Sequence, residues 1–326
     1  MTSSSHPDSS FDFLLQAVQR SGKCDPHAHG ITVLNNKQLV EILTAAPRTP
    51  EGKPRLRESN FENLTFQDEV VFDGTVFDNG AIFDGVTFEE KASFEGVAFE
   101  GDSTFKKTVC KKKVNFSKTV FKSYVDCNQV IFQEEVLFNE AIFNDITLFD
   151  GAIFESKTVF DKVLFENKSS FHSAIFKGNA DFNETSFARE TAFNRVIFDT
   201  LAIFDKATFA GNAVFDGTTF ENVAIFTGTV FSEEASFLGA TFKSATSFNR
   251  AVFKNLAIFK RTTFDNMAVF DGVTFKNEAI FNGATFKNVA IFTGANLKKI
   301  SHFEAAVLEE EGRLLWDMKR KRGWRS

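Results

Sequence analysis

The sequence predicts an all-β fold, a four-sided β-helix solenoid of about eleven coils with about 22 residues per coil and short α-helical caps. Three observations carry that expectation. Forty-two of the 44 phenylalanines fall on one lattice of alternating five- and six-residue steps. It runs from Phe61, Phe66, Phe72, Phe77 and Phe83 through Phe226 and Phe242 to Leu308, and of its 46 positions only Cys110, Cys127, Leu297 and Leu308 are not Phe. Two residues before each lattice position stands Ala, Ser, Thr or Val in 45 of 46 cases, with Leu64 the exception. After the rings come turn formers, as in Asp73-Gly74, Asp84-Gly85, Asp216-Gly217, Asp271-Gly272 and Asn282-Gly283. A fixed short period means that each unit buries its apolar face on its neighbours, which is the signature of a stacked repeat.

Each element follows from these positions. Residues i−2 and i lie on one side of an extended strand, so the small residue and the ring both point inward and the residue between them points out. There the chain places β-branched residues such as Ile82, Val120, Ile153, Thr241 and Ile258, which suit a pleated backbone. Gly and Asn after the ring tolerate the positive φ of a sharp corner. The outward columns indicate the size of the coil. Every second 11-residue repeat reads Thr65, Thr87, Val109, Ile131, Ile153, Ile175, Ile197, Thr219, Thr241, Thr263, Thr285, whereas the interleaved column is less ordered. A second column, Leu201, Val223, Ala245, Met267 and Val289, is apolar throughout. Neighbours on one face should resemble each other, so a coil has four faces. The alternate sixth residue enlarges two opposite corners. At roughly 4.8 Å per stacked strand the rod is on the order of 50–55 Å long.

The ends read differently. Residues 1–35 are expected to form a polar, partly disordered N-terminal segment, and 36–60 a helical cap with a lead-in. Asn36–Ala46 has helical apolar spacing at Leu39, Ile42 and Leu43 and stops before Pro47. The β-helix is placed at 61–302. Residues 303–326 read as an amphipathic helix, Phe303–Arg320, carrying Val307, Leu308, Leu314, Leu315 and Met318, with the basic tail Lys319–Arg325. That helix would cap the last coil or pair with a second subunit.

Units with a small residue two before a central Phe, such as Ala-Ile-Phe at 224–226 and Ala-Thr-Phe at 240–242, resemble the pentapeptide repeat family over about three quarters of the chain. The resemblance implies a right-handed, four-sided β-helix. This chain departs from the family pattern by its sixth residue in alternate units.

Composition excludes several classes. No run of 18 apolar residues exists, so no membrane span is expected. The polar N-terminus has no apolar signal core, which points to a cytoplasmic protein. Three separated cysteines make no disulfide framework. Cys24-x-x-His27-x-His29 holds metal-ligand types but has no matching second half, so neither metal nor cofactor is expected. No phosphate-binding glycine loop and no nucleophile–base set is spaced for catalysis, so an enzyme is not expected. Cys110 and Cys127 read as small fillers in the ring lattice.

Charge is uneven. Residues 61–104 hold eleven acidic side chains, among them Asp68, Glu69, Asp73, Asp78, Asp84, Glu89, Glu90 and Glu95, against Lys91 alone. Residues 105–125 hold seven lysines and no acid. The sequence therefore reads as a non-catalytic protein-interaction or scaffold module. Its candidate surfaces are those eight carboxylates and the Ile131/Ile153/Ile175/Ile197 stripe, and its core ladder includes Phe61, Phe66, Phe72, Phe77, Phe83, Phe226 and Phe242. A protein partner is expected, with a homodimer through the C-terminal helix as one possibility and no direct binding of nucleic acid. The alternative comes from the resemblance: some pentapeptide repeat proteins mimic DNA and bind a type II topoisomerase, and the acidic coils 61–104 would be the matching part.

Overall fold

A computed structural model describes residues 9–297, 302–308 and 314–315. The lattice folds as expected, into a rod of two-residue strands paired in parallel with partners one coil away, as in Thr65↔Thr87 and Phe66↔Phe88. Four sheets form the sides, and among the described residues they hold thirteen, twelve, twelve and ten strands. We number the faces by their rings: Phe66 and Phe88 on the first, Phe72 and Phe94 on the second, Phe77 and Phe99 on the third, Phe83 and Phe105 on the fourth. The small residue and the ring are buried, and the residue between them is half-buried or exposed at most levels.

The rings are not equivalent in their contacts. Within a face they stack at one-coil spacing, as Phe182, Phe204 and Phe226 do at 4.9 and 4.8 Å with nearly parallel planes. Phe204 also meets Phe193 and Phe215 of the opposite face edge-on at 5.5 and 5.6 Å. The second and fourth faces thus interlock through the centre, each ring lying between two opposed ones. Both geometries are the ones that the quadrupole of a ring favours.

Corners come in two kinds. After the rings of the second and fourth faces the five-residue step closes a tight turn, in which Leu64 N–H donates to Phe61 O at 3.0 Å and Asn63 takes φ +54°. The same position has positive φ at every tight corner, whether it carries a glycine such as Gly74 or Gly217 or a side chain such as Lys107, Glu140 or Arg195. The second half of the turn imposes that conformation, and glycine only makes it cheaper. Corner carboxylates also link coils: Asp216 accepts from the Ser236 hydroxyl and from Leu238 N–H, and Asp84 accepts from Lys106 N–H at 2.9 Å.

Threonine at the inward position has a definite role. The Thr229 hydroxyl donates to Phe204 O at 2.6 Å and that of Thr262 to Phe237 O at 2.7 Å, 25 residues back in each case. Thr218 donates to Phe193 O in the same way. Thr75, in the first coil, has no ring carbonyl beneath it, and its buried hydroxyl lacks a partner among the described residues. Thr75→Val should therefore stabilise the fold by about 1 kcal/mol and Thr229→Val destabilise it by about as much. Urea midpoints of opposite sign check this; shifts of the same sign would refute it.

The N-terminal end is more ordered than its composition suggests. Helix α1 (Ser9–Ser21) buries Phe11, Leu14 and Val18, so the expected partly disordered segment is folded from Ser9 onward. Its apolar stripe at i, i+3 and i+7 is short and preceded by a polar run, which obscures it in the sequence. Helix α2 (Asn36–Ala45) matches the expected cap, closed by reciprocal bonds between Asn35 and Gln38. Strand Val33–Leu34 sets Leu34 against Phe66, and strand Arg55–Leu56 sets Leu56 against Phe77. The lead-in thus forms a partial coil in which leucines continue the ring ladders and cover the open end.

At the other end the expected helix of Phe303–Arg320 is corrected over the described residues 303–308 and 314–315. Val307–Leu308 pairs with Thr285–Phe286, and Leu314–Leu315 pairs with Ala290–Ile291. Both are strands that prolong the first and second faces, because the unpaired edge of a parallel ladder accepts further strands. The remainder of that segment, with the basic tail, lies outside the described residues.

Candidate interaction surfaces

The stacked rings fill the interior, since Phe72, Phe77, Phe94, Phe99, Phe149, Phe204 and Phe248 are all wholly buried. A depression of about 560 Å³ lies outside the barrel, between the lead-in and the third face, lined by Arg55, Asp78, Asn79 and Glu100 among others. Arg55 already binds Asp78 there at 2.8 Å. What the molecule offers to a partner is therefore its outer faces and corners.

The eight acidic residues singled out by composition do not share one face. Asp68, Glu69, Glu89 and Glu90 lie at the wide corner between the first and second faces. Asp73 and Glu95 lie at the next tight corner, Asp78 at the wide corner beyond the third face, and Asp84 at the last tight corner. Several are engaged. Lys106 pairs with Asp84 at 3.3 Å, Lys111 with Glu89 at 2.8 Å and Lys122 with Glu100 at 2.9 Å, each across one coil. Asp73 accepts from Ser93 and from Glu95 N–H. The lysine belt thus sits on top of the acidic coils and neutralises part of their charge. It also reaches the other way, since Lys113, together with Lys157 from the coil beyond, holds the Glu135 carboxyl below the usual carboxylate range. Among the described residues Glu69 and Glu90 have no ion pair.

The isoleucine stripe is a continuous ladder on the first face, in the register Ile131↔Ile153, Ile153↔Ile175 and Ile175↔Ile197. Ile197 is exposed and the others are half-buried. Polar corners flank it, with Asn128, Asp150, His172 and Asn194 on one side and Glu134, Glu155 and Lys177 on the other.

A wider apolar surface is not visible from single columns. On the second face the column Leu201, Val223, Ala245, Met267, Val289 runs beside Ile203, Ile225, Ser247, Val269, Ile291. Both point outward, because each buried Ala or Thr between them points in. Reading positions i−3 and i−1 of the same rings together would have revealed the pair.

Cys110 and Cys127 are free, buried thiols that interrupt the stacks between Phe88 and Phe132 and between Phe105 and Phe149. Burial holds both thiols protonated, with their pKa pushed far up. Tyr124, desolvated and beside Asp126, is pushed up to about 12 and donates to that carboxylate at 3.1 Å. Cys24 is buried while His27 is exposed, and among the described residues no His/Cys/Asp/Glu group is arranged to hold a metal ion. No helix among them is long and apolar enough to cross a membrane.

A filled parallel β-helix with a 22-residue coil defines a repeat protein of the β-solenoid class. Its repeats match the family described as pentapeptide repeats over residues 61–109, 138–186, 171–219, 204–252 and 248–296. More than half of the chain is covered, and the protein belongs to that family. No curated protein and no solved structure matches the chain.

Proposed function

We infer that the protein is a non-catalytic interaction or scaffold module that presents the faces of a rigid rod to another protein. The observation that supports this reading best is the Ile131–Ile197 ladder, a run of large apolar side chains rimmed by polar corners. An apolar centre with a polar rim is the anatomy of a protein interface, and a ring-filled interior leaves no enclosed cleft for substrate. The topoisomerase alternative draws less support, because the carboxylates it needs are spread over four corners and partly paired with lysines. Photo-crosslinkers placed at Ile153 and, as a control, at Thr274 on the opposite face test the reading in cells of the native host. Adducts from Ile153 alone are expected; equal labelling from both positions would refute it.

A further inference from the structure

We propose that the second face is a self-association surface, on which a second copy of this chain docks antiparallel, face to face. The proposal goes beyond the preceding one: it concerns a different face and names the partner. The paired columns from Leu201 to Ile291, apolar except for Ser247, are flanked by charged corners whose order is self-complementary. Along one corner the sequence runs Asp199, Glu221, Lys243, Asp265, Lys287.

A two-fold axis lying in the face and perpendicular to the rod sets each column against its own copy. When the axis falls midway between the Lys243 and Asp265 coils, Lys243 meets Asp265 of the second copy and Glu221 meets Lys287. Within one chain Lys243 already pairs with Glu221 at 2.8 Å, and Lys287 with Asp265 at 2.9 Å. The dimer joins these two pairs into a square of alternating charge. On the other corner the same axis brings Arg250 opposite Asp271, both exposed. Between the corners the small residues Ala245 and Ser247 face the larger Met267 and Val269.

Neighbouring registers fail on charge. An axis through the Lys243 coil sets Lys243 on itself and Glu221 on Asp265. One midway between the Glu221 and Lys243 coils sets Asp199 on Asp265. A single register therefore pairs opposite charges on both corners beside the apolar columns: like charges directly opposed select against those nearer the Asp199 end, and the one midway between the Asp265 and Lys287 coils keeps Asp265 on Lys287 but sets Arg250 away from Asp271. The patch spans on the order of 20 Å along the rod, which places it in the class of small interfaces that associate weakly and reversibly.

Sedimentation velocity of the full chain over a range of concentrations tests this. Wild type should pass from monomer to dimer, with a dissociation constant on the order of tens of micromolar. Ile225→Lys, at an outward-pointing, half-buried position and so with only a small shift of the melting curve, should stay monomeric. Arg250→Asp should raise the dissociation constant about tenfold, and adding Asp271→Arg should restore it. A wild type that stays monomeric throughout would overturn the proposal. So would an Ile225→Lys variant that dimerises like wild type, or a double exchange that fails to restore association. Crosslinks from Ile153 are unaffected by any of these outcomes, so this proposal and the preceding one fail separately.

Discussion

Phe204→Ala should lower the free energy of unfolding by about 3–5 kcal/mol, the cost of emptying an aromatic site in a packed core. The site cannot collapse. Phe182 and Phe226 lie above and below it and Phe193 and Phe215 oppose it, each held by its own strand. A ring removed from the middle of the rod loses stacking on two sides and edge contacts with the opposite face. Phe303→Ala is the contrast. That ring is half-buried near the end of the ladder, where it stacks on Phe281 at 4.8 Å and meets Phe292 edge-on at 6.4 Å, so its removal should cost less, about 1–2 kcal/mol. Because a repeat rod is coupled chiefly between neighbours, the central variant should also broaden or split the unfolding transition. Denaturant titration followed by circular dichroism reads both effects. Equal losses at the two positions would show that the rings do not act through coil-to-coil stacking.

Gly80→Ala should cost about 2–5 kcal/mol. The residue has φ +79°, a conformation that costs a side chain roughly 1–2 kcal/mol. An added Cβ would lie 1.7 Å from the backbone oxygen of Asp102 in the next coil, so the coils must separate, at about 1–3 kcal/mol more. Gly74→Ala isolates the first contribution, since it has φ +66° and open space around the added atom. Thermal unfolding of the two variants should therefore differ by the steric part alone. Equal midpoints would mean that the close approach of coils at Gly80 is not a constraint.

Much of the architecture is legible because a solenoid repeats its local rules. The alternation of small residue, outward residue and ring dictates strand direction, inward face and corner, and columns 22 residues apart betray the number of sides. The surface was less legible. A block of acids in the sequence winds around four corners in space, and the lysines that follow it land on the same corners one coil later, as Glu89 and Lys111 do. The pairing of two ladders on the second face is not evident in single columns, because those columns are separated by an inward residue and come together only on the folded strand. Helix α1 was hidden by its polar flank, and the strands at Val307–Leu308 and Leu314–Leu315 by a spacing that suits an amphipathic helix equally well.

Period, four-faced coil and inward-looking residues are all written in the chain, since they follow from step lengths of five and six and from the two-residue alternation of a strand. Which opposed rings meet is settled only by the packing of the coils. The second and fourth faces interlock edge-on, as Phe193, Phe204 and Phe215 show, and that depends on the height at which one face is offset from another. That packing also decides why Gly101, Gly178 and Gly211 are glycines although their φ is not positive. A Cβ at each would stand within 2.4 Å of the backbone of the neighbouring coil. Such contacts arise between residues about one coil apart, where stacking distance rather than local propensity sets what fits.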